Sequence, residues 1–303
     1  MAVCLITGAT GKLGSYFVKA FSKKYEVVAG YIENPEIIPE NIPGTIIDLL
    51  DESLLGKNIE KVMPGVIIHC AAIKDVSYCE QNPERAREIN TEGTKRIAQI
   101  CRDLKATLVY LSSDYVFEGT RGCYREDEEP NPKTHYGKTK LEGEKAIQKI
   151  LTGYVICRTG GVYGYKDDFV DFVVNTTSNN NEIKAFSDIF NTPTYLPDLA
   201  DNIIKILEKK ITGVFHLAGY ERLSRFDFAV KIAKIFQMDL NLVVPLKYER
   251  SMDNFLRPVD CSLSSESIRK KTGIRFRGTD ESLKKIKELK KIESNSSTSC
   301  QKR

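Results

Sequence analysis

Short apolar runs alternate with longer segments of helical periodicity along most of the chain. Runs of four or five residues, rich in β-branched side chains, are apolar enough to be buried on both faces of a sheet. We predict strands at 3–7, 26–29, 45–48, 66–70, 107–111 and 154–158. Residues 83–101 and 136–151 repeat apolar positions every three or four residues, which predicts helices. The alternation predicts an α/β fold, a Rossmann-type doubly wound parallel sheet.

The regular alternation of predicted strands and helices ends at about residue 160. With 303 residues the chain has the length of about two domains, at about 150 residues each. We assign 1–160 to the Rossmann domain and 161–293 to a smaller C-terminal substrate-binding lobe, interleaved with the first. The lobe is predicted to contain strands at 183–186 and 214–217 and a helix at 225–236. The polar segment 294–303 is predicted to be a disordered tail.

Composition and charge are those of an ordinary globular protein. The 45 basic and 41 acidic side chains leave a net charge of +4, which calls for neither nucleic acid nor an anionic membrane as partner. No apolar run reaches the roughly 20 residues of a membrane span, so a cytoplasmic protein is expected. The eight cysteines form no C-x-x-C pair, which indicates reduced thiols and neither a zinc site nor a disulfide framework.

A glycine-rich turn follows the first predicted strand. The sequence T-G-A-T-G-K-L-G occupies residues 7–14, and an apolar-periodic helix comes directly after it. In such a turn Gly8 permits a tight bend, Gly11 lets backbone N–H groups approach a pyrophosphate, and Gly14 lets helix and strand pack closely. Strand, glycines and helix in this order predict a dinucleotide site, with contacts from Thr10, Lys12 and Leu13 as well.

A tyrosine and a lysine start the helix after the fifth strand. Tyr136 and Lys140 are four residues apart and therefore share one helix face. A free tyrosine has a pKa near 10 and exchanges its proton poorly at neutral pH. An adjacent ammonium group favours the phenolate, so the pair predicts acid–base catalysis. Ser113 ends the fifth strand at the carboxyl edge of the sheet, where doubly wound folds bind ligands.

The spacing T-G-x-x-G-x-x-G resembles the extended branch of the short-chain dehydrogenase/reductase superfamily. A narrower resemblance, to the dTDP-4-dehydrorhamnose reductase family, rests on S-S-D-Y-V-F-E-G at 112–119 and Y-G-K-T-K-L-E-G at 136–143. It continues through T-P-T at 192–194, P-D-L-A at 197–200 and R-P at 257–258, and covers nearly the whole chain up to about residue 290. One departure is S-D-I-F-N at 187–191, where family members often carry an acidic residue followed by Gln-Phe-Gly.

The resemblance implies reduction of the C4 ketone of a nucleotide-activated 6-deoxy-4-keto sugar. In that reaction Tyr136 would be the acid, Ser113 would hold the carbonyl, and Lys140 would tune the tyrosine and bind the cofactor ribose. The resemblance further implies cofactor contacts from Asp48, Leu49, Cys70, Ala71 and Ala72. Candidate substrate contacts are Tyr115, Phe117 and Arg257. No metal site is expected.

Cofactor and partner choices stay open at this point. The second strand ends V-A-G-Y at 28–31, without the carboxylate that favours NAD; we expect NADPH, as in reductive biosynthetic members, with NADH as the alternative. A second hypothesis is a non-catalytic NADP-binding subunit that resembles the regulatory β subunit of methionine adenosyltransferase and binds that enzyme. A third is an epimerase or dehydratase of the same superfamily. A homodimer is also considered.

Overall fold

The computed structural model describes the backbone of residues 2–300 and the side chains of residues 2–292. The strands are β1 (Val3–Thr7), β2 (Glu26–Tyr31), β3 (Gly44–Ile46), β4 (Val66–His69), β5 (Thr107–Ser113), β6 (Tyr154–Thr159), β7 (Val162–Tyr163), β8 (Ile183–Phe186), β9 (Phe190–Asn191), β10 (Thr194–Tyr195), β11 (Gly213–His216), β12 (Leu223–Ser224) and β13 (Val243–Leu246). The α-helices are α1 (Lys12–Phe21), α2 (Glu52–Val62), α3 (Val76–Gln81), α4 (Pro83–Arg87), α5 (Thr94–Leu104), α6 (His135–Ile150), α7 (Phe169–Ser178), α8 (Leu196–Glu208), α9 (Arg225–Phe236), α10 (Glu266–Thr272) and α11 (Thr279–Cys300).

The main sheet has the order β3-β2-β1-β4-β5-β6-β11, and all its neighbouring strands are parallel. The central strands are buried on both faces, as their continuous apolar runs require; every residue of β4 is buried. The strand order reverses between β1 and β4, which opens a crevice at the carboxyl ends of these strands. The predicted doubly wound α/β fold is confirmed.

The seventh strand comes from the second half of the chain. Strand β11, which the sequence pattern placed in the smaller lobe, pairs with β6 so that Phe215 lies beside Cys157. Helix α8 packs on the same face of the sheet as α1. The chain therefore leaves the main sheet after β6 and returns to it, because the apolar edge of β6 needs a partner strand.

The long helix predicted at 83–101 is interrupted. Residues 88–93 form a wider π-helical turn between α4 and α5. The buried side chain of Asn90 bonds the backbone N–H and C=O of Ile73, and the Thr94 hydroxyl donates to the Asn90 carbonyl at 2.7 Å. These bonds satisfy backbone groups that a widened turn leaves free. The interruption lies beside the loop that follows β4.

The smaller lobe gathers three pairs of short strands around its own apolar cluster. Strand β7 pairs with β10, β8 with β13, and β9 with β12. Helices α7, α9 and α11 cover a core that includes Tyr163, Phe228 and Leu283. No described helix has the length and apolar character needed to cross a membrane. The backbone of α11 extends into the predicted tail, but the side chains of 293–303 lie outside the described residues, so the disorder predicted there stays a prediction.

Candidate active site

The glycine-rich turn takes the shape that its spacing predicts. Gly8 has a φ of +64°, in the left-handed region that glycine adopts without strain, and a Cβ at this position would lie 2.9 Å from the Ala71 backbone. A Cβ on Gly14 would lie 2.1 Å from the carbonyl oxygen of Gly8. The Gly11 N–H donates to the same oxygen at 3.0 Å. The turn and the helix therefore pack backbone against backbone.

Helix α1 presents an uncapped N-terminus beside this turn. Gly11 is its N-cap and offers no side-chain acceptor, and the first turn carries no acidic residue. The free N–H groups and the helix dipole together favour a bound anion such as a pyrophosphate. Lys12 reaches across to the smaller lobe, where its ammonium donates to the carbonyl oxygen of Asp167 at 2.6 Å. Thr10 lines the cavity along this helix.

The other predicted cofactor residues surround the crevice. Cys70, Ala71 and Ala72 follow β4 directly, and the Ala71 N–H donates to the Thr7 hydroxyl at 3.2 Å. Asp48 lies two residues beyond the end of β3 rather than inside the strand, because its carboxylate accepts from the Leu50 N–H at 2.9 Å and turns the chain.

Leu49 is buried against Gly93. Leu13 is only partly buried, one residue inside α1. These positions follow β3 and β4 or begin α1, so they lie at the carboxyl edge of the sheet, where the sequence predicts a dinucleotide.

His69 is a fully buried link between strands. Its Nδ1 lies 2.7 Å from the Thr7 hydroxyl oxygen and its Nε2 lies 3.1 Å from that of Thr94. Burial, helped by the charge of Lys140, lowers the pKa of His69 to about 3. His69 therefore stays neutral at physiological pH and links Thr7 of β1 to Thr94 of α5.

Ser113 ends β5, and Tyr136 and Lys140 lie in the first turns of α6, which packs against that strand. Thr134 caps the start of α6 by accepting from the Gly137 N–H at 3.0 Å, which fixes the helix that carries Tyr136 and Lys140. The Ser113 side chain lies close enough to Tyr136 to favour ionisation of its hydroxyl. Lys140 is buried, with its ammonium nitrogen 4.1 Å from the ring centroid of Tyr110. The structure thus places Ser113 near Tyr136, and Lys140 one helical turn further along α6.

Burial opposes the charged forms of all the titratable groups in this site. It raises the pKa of Tyr136 to about 12, although the nearby Ser113 side chain acts in the opposite direction. Burial lowers the pKa of Lys140 to about 7, against the attraction of Glu144. Asp114 is buried beside Ser113, whose hydroxyl donates to it at 3.0 Å, and burial raises its pKa to about 7. The protein alone therefore holds a tyrosine that needs further positive charge before it ionises near neutrality.

A cavity of about 290 Å³ opens beside Asp114 and Tyr115 toward the smaller lobe. Its cationic lining side chains are Lys184, Arg225 and Arg257. Arg257 lines it as expected, but its guanidinium is already engaged by Asp253 through two bonds of 2.6 and 2.8 Å.

The expectation that Phe117 lines the sugar pocket is wrong. Its side chain is fully buried and stacks on Tyr124 at 4.4 Å between ring centroids. The reason is that the turn at 114–116 sends Tyr115 toward the cavity and Phe117 back into a local core.

Sequence reasoning missed Arg225 and Glu144. Arg225 makes no ion pair among the described residues, and its guanidinium lies 4.7 Å from the Phe169 ring centroid at the cavity wall. A signal was present, since Ser224 forms a capping box with Asp227 and so places Arg225 at the first position of α9. Glu144 follows Lys140 by one helical turn. Its importance shows only in the structure, where its side chain is buried.

His216 of β11 is a buried histidine with only one of its two ring nitrogens hydrogen-bonded among the described residues. The ring is buried and its Nδ1 lies 3.1 Å from the Tyr124 carbonyl oxygen, but Nε2 has no hydrogen-bond partner within the described part of the chain. Burial, followed by the nearby charge of Arg158, lowers its pKa to about 3. The imidazole therefore stays neutral.

Comparison with known proteins places this geometry in a family. The RmlD substrate binding domain matches residues 1–291. A crystal structure of a dTDP-4-dehydrorhamnose reductase from Clostridium acetobutylicum superimposes with a TM-score of 0.86 at 32% identity, covering 95% of this chain and 99% of that one. The Bacillus anthracis dTDP-4-dehydrorhamnose reductase, solved in complex with NADP, gives 0.82 at 29% identity, covering 94% and 98%.

The methionine adenosyltransferase 2 subunit beta of Bos taurus is 32% identical over 302 residues, which span 92% of this chain and 86% of that protein. The relatives thus include both the reductases and the methionine adenosyltransferase subunits that the sequence motifs resemble. The match to the family over nearly its whole length shows that the chain belongs to the RmlD substrate-binding-domain family.

Proposed function

We propose that this protein is an NAD(P)H-dependent reductase of the C4 ketone of a nucleotide-activated 6-deoxy-4-keto sugar. The first candidate is the conversion of dTDP-4-dehydrorhamnose to dTDP-rhamnose. The observation that carries the proposal is that Ser113 lies near Tyr136, with Lys140 one turn along the same helix, and that Asp114, next to Ser113, lines a cavity with cationic walls. The likeness to solved dTDP-4-dehydrorhamnose reductases over almost the entire chain supports the substrate class.

The backbone around the glycine turn fits a dinucleotide. A side chain on Gly8 would press on the Ala71 backbone, and one on Gly14 would press on the turn itself. The N-terminus of α1 has no side-chain cap and can receive a pyrophosphate. The bound nicotinamide would supply the hydride that reaches the sugar carbon. Residues 26–43 contain four carboxylates and no lysine or arginine, so the cation for an adenosine 2′-phosphate would have to come from elsewhere. We propose NADPH, which the Bacillus anthracis relative binds, and test NADH beside it.

The side chains divide the remaining chemistry between them. The Ser113 hydroxyl would hold the substrate carbonyl oxygen, and Tyr136 would donate its proton to that oxygen as negative charge develops there. The Lys140 ammonium would stabilise the phenolate that remains. Arg225, unpaired among the described residues, and Arg257 would face the substrate diphosphate from the cavity wall.

The test is oxidation of NADPH and NADH at 340 nm with a dTDP-4-keto-6-deoxy sugar generated in situ. We expect Tyr136→Phe to lose at least about 100-fold in kcat, since a general acid contributes about 10²–10⁴-fold. Tyr220→Phe, at an exposed tyrosine, is the matched control and should retain full activity. Turnover that survives in Tyr136→Phe would contradict the assigned mechanism.

A second candidate function rests on the similarity to methionine adenosyltransferase 2 subunit beta. In that case the fold would bind NADP and act through a partner enzyme, without turnover. Wild-type protein that shows a thermal shift with NADP but oxidises neither cofactor with sugar nucleotide would favour this function. Co-elution with a methionine adenosyltransferase in size-exclusion chromatography would then identify the partner.

A further inference from the structure

A buried ionic cluster lies directly behind the proposed catalytic side chains. The Glu144 and Arg158 side chains are only 1% and 6% exposed, and Arg158 Nη2 donates to Glu144 Oε2 at 2.7 Å. Arg158 Nε donates to both carboxylate oxygens, at 3.1 and 3.2 Å. The Ser112 hydroxyl donates to Oε1 of the same carboxylate. One carboxylate therefore joins helix α6 to strands β5 and β6.

Stability alone is a weak reason for this arrangement. Removing two charges from water is costly, and apolar side chains of similar volume often replace a buried ion pair without loss of stability. The position of the cluster points to another role. Glu144 lies four residues after Lys140 and eight after Tyr136, on the same face of α6, and Ser112 directly precedes Ser113. The cluster thus contacts both elements that carry the catalytic trio.

The surroundings of Lys140 leave Glu144 as its main anionic neighbour. The other titratable groups that face the amine are His69 of β4, Cys70 after β4 and Tyr110 of β5. Burial lowers the pKa of His69 to about 3 and raises that of Cys70 to about 12, so both are neutral. Burial likewise raises the pKa of Tyr110, so its ring offers the amine only a neutral π face.

We propose that Glu144 is a positioning residue that acts through Lys140: anchored by Ser112, its carboxylate keeps the buried amine charged, and the paired Arg158 guanidinium limits that effect. This inference rests on the proposed reductase function only for its consequence in catalysis. The charge relation itself is a property of the protein without substrate. The pair therefore tunes the pH range over which Lys140 can support ionisation of Tyr136.

Two single substitutions should act in opposite directions. Glu144→Gln keeps the shape but removes the negative charge, so the pKa of Lys140 should fall by about 1–2 pH units, the size expected for one charge roughly 6–12 Å away with an effective dielectric constant near 20. Arg158→Met removes the opposing positive charge, so the pKa of Lys140 should rise by a similar amount. General damage to the fold would not move one group in two directions.

The primary experiment is an NMR pH titration of the full chain labelled with ¹³C-lysine, with the Lys140 signal assigned by its loss in Lys140→Met. Opposite shifts in Glu144→Gln and Arg158→Met, with the double variant close to wild type, are the expected result. Shifts in the same direction, or no shift, would overturn the inference. If one single variant fails to fold, the double variant and the remaining single variant still test the inference. The double variant removes both charges of the pair, so its Lys140 pKa should match that of the wild type. The Lys140 pKa of the remaining single variant should differ from it.

Catalysis supplies the second readout. The alkaline limb of kcat/KM should move down in pH in Glu144→Gln and up in Arg158→Met, in parallel with the titration of Lys140. A wild type without turnover would refute the proposed function, yet the NMR titration would still decide the role of Glu144. A wild type with turnover and an unmoved Lys140 titration would refute the role of Glu144 alone.

Discussion

A single methyl group at Gly14 should separate the glycine turn from its helix. In Gly14→Ala the new Cβ would lie 2.1 Å from the Gly8 carbonyl oxygen and 2.8 Å from the Ala9 Cα, whereas ordinary contacts begin near 3.4 Å. The obstructing atoms are backbone, so no side-chain rotation relieves them. The start of α1 must move away by ~1 Å, which disturbs the bond from the Gly11 N–H to the same oxygen.

The expected change in the free energy of unfolding follows from two opposing effects. Alanine in place of glycine inside a helix stabilises it by about 0.5–1 kcal/mol. Overpacking a well-filled site costs about 1–3 kcal/mol, and sometimes more. Gly56 in α2 is the matched control, because nothing lies within 4 Å of a Cβ built there. Gly56→Ala should therefore gain about 0.5–1 kcal/mol in the free energy of unfolding, whereas Gly14→Ala should lose stability overall.

The assay pairs urea unfolding, followed by circular dichroism, with NADPH binding, followed by fluorescence. We expect Gly14→Ala to weaken binding by at least about tenfold, because displacing the helix N-terminus by ~1 Å loosens the charge-assisted bonds to the pyrophosphate. Gly56→Ala should bind as the wild type does. Equal stabilisation of the two variants, with unchanged binding in both, would refute the packing argument.

Two further predictions concern the smaller lobe and its junction with the sheet. The Asp168 carboxylate accepts from four backbone N–H groups, two in the loop that precedes it and two at the start of α7. Asp168→Ala should therefore lower the free energy of unfolding by about 2–3 kcal/mol in urea titrations, and retained stability would show that water replaces these bonds. The pKa of His216 is about 3 in the folded protein, below its unfolded value of about 6.5, so the wild type loses stability relative to His216→Gln as pH falls through that window. The difference in the free energy of unfolding between wild type and His216→Gln should change by about 1.4 kcal/mol per pH unit. Curves of unfolding free energy that run parallel for the two proteins from pH 7.5 to 4.5 would contradict this prediction.

The element order was readable from the sequence because it depends on local pattern. Apolar runs long enough for buried strands, the 3.6-residue periodicity between them and the glycine turn after β1 fix the doubly wound sheet before any contact is known. The spacing of Tyr136 and Lys140 likewise fixes that they share a helix face. Such features require only neighbours along the chain.

Local pattern fails where a partner distant in sequence decides the outcome. The π-helical turn at 88–93 depends on bonds between Asn90 and Ile73, and strand β11 joins the main sheet because the edge of β6 is free. The burial of Phe117 follows from the turn that redirects the chain after Ser113. None of these partners can be inferred from spacing.

The sequence by itself determined a Rossmann-type fold, the dinucleotide turn and the identity of three candidate catalytic residues, because strand burial, glycine conformation and helix periodicity are short-range properties. Only the tertiary structure decided which charges face those residues. Arg225 lines a cavity wall together with Asp114, and the cluster of Ser112, Glu144 and Arg158 joins β5, α6 and β6, so these groupings bring together residues from separate elements. Electrostatic effects depend on distance and burial in space, and these arise only once the sheet and its helices have assembled.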